Sequence, residues 1–199
     1  MLTVLKVRLY PNKEQQIALA QNFGCCRVVW NYYLNKSITL YQETGKGLSY
    51  CNMAKDLTQL KKQKEFEWLQ DASSSALQQS LKDLEKAYKN FFEHRAGFPK
   101  FKNRHRKQSL RYPAACSIQG NGVKLPKLGI VKAIIPRENS GEIKSVTVSR
   151  DSTDKYFAAI LLETGDVPPT NKDGKISGID LGLNSLITVF DGETTYKVD

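Results

Sequence analysis

The sequence predicts an α+β fold: a small antiparallel barrel or curled sheet, interrupted by a run of helices and followed by the opening hairpin of a second sheet. Three patterns predict it. Apolar residues alternate with period two over residues 3–10 and again from residue 123, they recur at helical spacing between 12 and 95, and a separate strand-turn-strand pattern spans 176–190. With 199 residues, 40% hydrophobic and 25% charged, the chain is long enough for one large domain or two modest ones with real cores.

Residues 3–10 read as a strand with Leu5, Val7 and Leu9 on one face and Lys6, Arg8 and Tyr10 on the other, so one face is buried and one is basic. Pro11 stops this strand. Asn12 with Gln15 resembles a capping box opening a helix that carries Ile17, Ala20 and Phe23. Helical spacing continues through Val29, Tyr33 and Leu40, pauses at the turn TGKG (44–47), and resumes at Met53, Leu57 and Leu60. The clearest helix follows the serines at 73–75, with Leu77, Leu81, Leu84, Tyr88 and Phe91 or Phe92 on one stripe, and Gly97 is expected to end it. Beyond residue 122 the segments 123–135, 142–150 and 155–163 read as antiparallel strands. Strand 3–10 finds no partner among helices, so it is expected to join this sheet. The expected organisation is therefore a β-barrel from 1–11 and 96–165, a helical insertion at 12–95, a linker at 166–175 and a second unit from 176 to 199.

Lysine and arginine number 30 against 20 acids, a formal net charge of +10, so the surface field attracts polyanions. The charge is concentrated. Between His94 and Tyr112 the sequence HRAGFPKFKNRHRKQSLRY holds Arg95, Lys100, Lys102, Arg104, Arg106, Lys107 and Arg111 with no acid, interleaved with Phe98, Phe101 and Tyr112. Cations suit phosphates and rings suit unpaired bases, so the strip is a candidate nucleic-acid contact, more so than a solvated linker, which needs neither. Lys6 and Arg8 on the polar strand face are further candidates. The cysteines, Cys25, Cys26, Cys51 and Cys116, form no C-x-x-C pair and there are two histidines, so no zinc site is expected; the usage suits a reducing compartment such as the cytoplasm. No stretch approaches a membrane span and the N-terminus alternates, so no membrane partner is expected.

In GIDLGLNSLITVFDG (178–192), Ile176 to Leu181 reads as one strand, GLN (182–184) as a turn and Ser185 to Phe190 as the next strand, with Asp180 in the first. An ionised carboxylate buried in a strand costs several kcal/mol unless paired or cation-bound. Asp180 either turns outward to bond backbone amides, the commoner use of D-x-G, or is one ligand of a magnesium site.

The segment GIDLGLNSLITVFDG resembles the first strand-turn-strand of a RuvC-type, ribonuclease-H-like nuclease domain as found in the TnpB family of bacterial insertion sequences. RLYPNKEQQ, VVWNYYL, YQETGKGLSY, ALQQSLKDLEKAYKNFF, GFPKFK and KLPKLG occur in that family's order, covering essentially the whole chain. The resemblance implies an RNA-guided DNA endonuclease with a wedge barrel, a helical recognition insertion and a RuvC-like domain. Its partners would be a guide RNA from the transposon end and double-stranded target DNA, and magnesium would be its cofactor. Asp180 matches the first catalytic carboxylate and metal ligand. Tyr50 and Gln78 match positions facing the target-adjacent duplex, and an exposed amide such as Gln78 can bond an adenine edge bidentately in the major groove. Ser74 and Ser75 depart from that pattern, standing where longer side chains are expected.

The family continues past a third strand with a second carboxylate, a zinc ribbon and a last aspartate. The third strand is expected to begin near Asp199, and residues 1–199 are expected to be an N-terminal portion that does not cleave by itself. The rival reading is a nucleic-acid-binding regulator, RNA-guided or not, or a truncated gene product. A tyrosine transposase is disfavoured, because no histidine pair accompanies a helical tyrosine.

Overall fold

The computed structural model describes residues 1–135, 141–165, 177–181 and 186–198. The expected linker 166–175 and turn 182–184 lie outside the described residues. By contact, Leu2–Thr164 form one compact unit, and Met1 with Gly165–Asp199 a second.

In the first unit, strand β1 (Leu2–Tyr10) leads into helices α1 (Lys13–Thr44) and α2 (Tyr50–Leu60), a 3-10 helix (Lys64–Asp71) and α3 (Ser74–Phe92). Strands β2 (Gln108–Tyr112), β3 (Ser117–Gln119), β4 (Gly122–Leu125), β5 (Gly129–Ala133), β6 (Glu142–Arg150) and β7 (Tyr156–Glu163) follow. The seven strands form one antiparallel sheet in the order β2-β6-β7-β1-β5-β4-β3. As its alternation requires, β1 lies centrally between β7 and β5, with Val7 and Leu9 buried and Lys6, Arg8 and Tyr10 exposed. The segment 123–135 is not one strand but the hairpin β4–β5, turned where Lys127 (φ 62°) and Gly129 (φ 70°) adopt left-handed backbone.

The sheet corrects the expected barrel. Among the described residues it is open, with β2 and β3 at its two edges. Edge strand β2 packs against α1 and α3, with Gln108, Leu110 and Tyr112 of one face buried.

Asn12 and Gln15 make the reciprocal capping box, at 2.8 and 3.1 Å, and Gly45 closes α1 in left-handed conformation, φ 68°. The buried face of α1 differs from expectation: Ile17 and Ala20 are exposed, while Leu19, Phe23, Cys26, Trp30 and Tyr33 carry the core. In α3 the stripe Leu77, Leu81, Leu84 is fully buried. This helix ends at Phe92, capped by Glu93, rather than at Gly97, because His94 takes the left-handed conformation (φ 55°) that breaks the ladder.

The second unit is a three-stranded antiparallel sheet in the order β10-β9-β8, from β8 (Gly178–Asp180), β9 (Ile187–Phe190) and β10 (Thr195–Val198). The third strand, expected to begin near Asp199, is thus already inside the chain. Asp191 makes the β9–β10 turn, its Oδ1 accepting from the N–H groups of Glu193 and Thr194 at 3.0 and 2.7 Å. These backbone donors hold its carboxyl below the usual carboxylate range.

Candidate nucleic-acid interface

The strip after α3 is folded down onto α1. Trp30 Nε1 donates to the carbonyl of Lys100 at 3.0 Å, and Asn31 bonds the backbone of Lys102 on both sides. Farther along, the amide of Gln108, 8% exposed, donates to the carbonyls of Asn103 and Arg106 and accepts from Arg27 Nη1 at 2.8 Å. Sequence spacing gives no sign of Arg27, Trp30, Asn31 or Gln108, because each acts across some 70 to 80 residues.

Lys100, Arg104, Arg106 and Lys107 are exposed, and none forms an ion pair among the described residues. Lys102 is different. Its Nζ stands 3.9 Å from the Trp30 ring centroid, and desolvation there lowers its pKa although much of the side chain stays open to solvent. Arg95 pairs with Glu93 at 3.3 Å, so this cation is compensated from just outside the strip. Of the three rings, Tyr112 is fully buried in β2, contrary to a stacking role. Phe98 packs edge-on against Tyr88 and Phe91, whereas Phe101 is 55% exposed with no ring partner among the described residues.

Lys6 and Arg8 lie on the exposed sheet face, where Lys6 Nζ sits 5.0 Å over Phe157 and the Arg8 guanidinium 5.1 Å over Tyr10. The register aligns Lys6, Ala159, Thr147 and Arg111 in one row across β1, β7, β6 and β2. Small side chains separate the cations, leaving a shallow basic face that ends at the strip.

Tyr50 and Gln78 lie on α2 and α3, which pack together. Tyr50, first residue of α2, donates its N–H to Glu85 at 2.9 Å, and Lys82 lies 5.4 Å over its ring. Gln78 is exposed one turn before Lys82 on α3, so Gln78, Lys82 and Glu85 share a stripe beside Tyr50.

Asp180 ends β8 opposite Thr188 and is exposed. Of the two sequence readings this is the outward one: in water the carboxylate incurs no desolvation cost and requires no partner. Among the described residues no three His, Cys, Asp or Glu side chains converge as a metal would need. Burial drives the thiols of Cys25 and Cys26 up to about 11 and about 12, which makes them packing groups rather than nucleophiles. Among the described residues no helix is long and apolar enough to cross a membrane.

An antiparallel sheet carrying a spliced-in helical segment, with a basic strip leading into its β2 edge, defines the class: a mixed α+β chain with a concentrated basic surface. The fold is shared with the cryo-EM structure of a CRISPR-Cas12f ternary complex, at a TM-score of 0.50 and 12% identity over 94% of this chain and 48% of that one. A family profile described as "HTH_OrfB_IS605: Helix-turn-helix domain" matches residues 1–46, which here form β1 and one unbroken helix through Thr44. The chain is 37% identical over its whole length to "Putative RNA-guided DNA endonuclease InsQ" of Escherichia coli (strain K12), covering 50% of that protein. It is 33% identical over 94% of its length to a "Putative RNA-guided DNA endonuclease" of Streptomyces pristinaespiralis, covering 48% of it. The chain belongs to the TnpB/IS605 OrfB family. It spans about half the length of the curated relatives it matches.

Proposed function

We propose that this chain is the nucleic-acid-binding, N-terminal part of an RNA-guided DNA endonuclease. The observation that carries the reading is the basic strip. Among the described residues its cations from Lys100 to Lys107 form no ion pair, its backbone is pinned to α1, and it adjoins the basic row of the sheet. A merely solvated strip needs no such anchoring. The two relatives matched over 94% or more of the chain carry that activity in their names.

In this reading the sheet (1–11 and 96–165) is the wedge and the insertion 12–95 the recognition part. Residues 166–175 link these to the start of a RuvC-like domain at 176–199. Guide RNA lies along Lys6, Arg8, Lys100, Lys102, Arg104, Arg106 and Lys107, and Tyr50 with Gln78 faces the target-adjacent duplex. Base pairing with the guide reads the rest, so shape and phosphate contacts suffice for the protein.

Asp180 is assigned as one carboxylate of a magnesium site in the complete protein. Magnesium demands several oxygen ligands in near-octahedral array, and the described residues bring no such group together, so on their own they do not fit a resident ion. The role derived for Asp180 is that of a carboxylate at a strand end.

The test is filter binding of structured RNA at low and moderate salt. The chain is compared with a variant in which Lys100, Lys102, Arg104, Arg106 and Lys107 are all glutamate. Affinity should fall steeply with salt and be lost in the variant; unchanged binding by the variant refutes the proposal.

A further inference from the structure

Between α1 and the basic strip lies a cavity of about 220 Å³, walled by Arg27, Lys100, Arg106, Lys107 and Gln108, with Phe101 at its side. No acidic side chain lines it. It is large enough to take a phosphate group with a few waters.

Three features set this cavity apart from an ordinary solvated basic loop. First, a buried amide orients its arginine. Gln108 is 8% exposed, and its Oε1 takes one N–H of Arg27 at 2.8 Å while its Nε2 binds two strip carbonyls. A guanidinium has five donors in a rigid fork, so an arginine held through one of them presents the others in fixed geometry, suited to paired phosphate oxygens. Second, none of Arg27, Lys100, Lys102, Arg106 and Lys107 forms an ion pair among the described residues. Third, the exposed ring is not on a loose loop. The Lys100 carbonyl is bonded to Trp30 and both backbone groups of Lys102 to Asn31, so the residues flanking Phe101 are fixed while its ring stays 55% exposed. Phe98, the neighbouring exposed ring, is accounted for by its packing on Tyr88 and Phe91. Phe101 is not.

We infer that this cavity is a phosphodiester pocket for a single strand. Arg27 and the strip cations hold one backbone phosphate, and the adjoining unpaired base stacks on Phe101. The inference rests on the nucleic-acid-binding reading above and adds a helix residue, Arg27, and a strand preference to it. A duplex has its bases already stacked and offers none to Phe101, so the pocket favours unpaired chain. RNA and DNA single strands share this chemistry, and the probes below distinguish them.

The test is fluorescence anisotropy of the 199-residue chain with labelled 15-mers of one sequence, as single-stranded RNA, single-stranded DNA and blunt DNA duplex. Phe101→Ala removes only an exposed ring, and it should weaken a single strand about tenfold or more while changing the duplex less than twofold. Arg27→Ala and Arg27→Lys should both weaken single strands, and Arg27→Ala should reduce the salt slope by about 0.7, one phosphate contact. Whichever single strand binds tighter identifies the source. Photo-crosslinking with a 4-thiouridine or 4-thiothymidine strand, followed by peptide mapping, supplies a readout that does not depend on variant folding; the adduct should fall on Phe101. Wild-type binding with Phe101→Ala unchanged, equal losses for duplex and single strand, or an adduct confined to other residues overturns the pocket and leaves the broader reading standing. Failure of the wild-type chain to bind any probe at low salt overturns both.

Discussion

Asn31 holds Lys102 by both faces of its peptide: Asn31 Nδ2 donates to the Lys102 carbonyl at 3.0 Å, and the Lys102 N–H donates to Asn31 Oδ1 at 2.8 Å. A side-chain amide here imitates a strand partner and fixes the basic strip to the middle of a helix. The strip's affinity therefore has two sources, charge and order, and they can be separated.

Asn31→Ala removes the order and keeps the charge. Two hydrogen bonds at about 0.5–1.5 kcal/mol each predict about 1–3 kcal/mol of lost stability in urea unfolding. RNA affinity should fall, because the loop must then be ordered on binding, while the salt slope stays as in wild type. An altered slope with unchanged stability would contradict this.

Tyr112 gives the opposite kind of prediction. Its ring is fully buried, and its hydroxyl finds no hydrogen-bond partner among the described residues. Tyr112→Phe should leave RNA binding unchanged and match or exceed wild-type stability, since it removes an unsatisfied polar atom. Tyr112→Ala should cost about 3–5 kcal/mol through the cavity it leaves. Thermal melts of both variants check the pair.

Tyr112 also marks where the sequence stops being legible. Local signals read true: Asn12 with Gln15 opens α1, the turn TGKG (44–47) interrupts the helices, the alternation of Val7 and Leu9 marks β1 as a strand with one buried face, and Leu77, Leu81 and Leu84 define the buried stripe of α3. These are decided within one or two turns of chain. The strip was visible only as composition. That Tyr112 turns inward follows from β2 beginning at Gln108, and that Lys102 turns toward Trp30 follows from an anchor some 70 residues away. Openness of the sheet escaped for the same reason, since packing β2 against α1 and α3 is a tertiary choice. For Asp180 the sequence leaves an outward and a metal-binding placement open, because its apolar neighbours Ile179 and Leu181 do not tell which; both of those side chains are themselves exposed.

Gln78 is exposed on α3, so Gln78→Ala should leave the melting temperature within the range of ordinary surface changes. In the complete protein it should weaken binding to the target-adjacent duplex by about 1–3 kcal/mol and spare guide-RNA affinity. Parallel titrations with RNA and with duplex DNA decide; an equal loss in both would make the residue structural.

Asp180→Ala removes a carboxylate with no hydrogen bond or ion pair among the described residues. It should leave stability and RNA affinity unchanged while abolishing guide-dependent cleavage by the complete protein supplied with magnesium. Full cleavage activity in that variant would remove Asp180 from the catalytic assignment.

Alkaline pH should destabilise the fold. Burial raises Cys25 from 9.0 to about 11 and Cys26 to about 12, and raises the buried hydroxyls of Tyr33 and Tyr112 as well. Each group keeps its proton longer folded than unfolded. Stability from these groups is therefore fully present below about pH 9 and is lost as pH rises through about 11. Urea midpoints at pH 7 and 10.5 should show the fall, and the double variant Cys25→Ala, Cys26→Ala should show a shallower one.

Helix α1 runs from Lys13 to Thr44 without a break. At its start, Gln15 Nε2 is tied to the carbonyls of Leu128 and Ile130 in the β4–β5 hairpin, at 3.3 and 2.9 Å. A helix of 32 residues is about 48 Å long and turns about 100° per residue, so it is at once a ruler and a protractor. Its origin is set by the sheet, and every later residue inherits both a distance and an angle from it. Inserting one residue after Lys36 would lengthen the ruler by only about 1.5 Å, yet it would swing Leu40, Tyr41 and everything they carry through more than a quarter turn. Length along this axis is forgiving; phase is not.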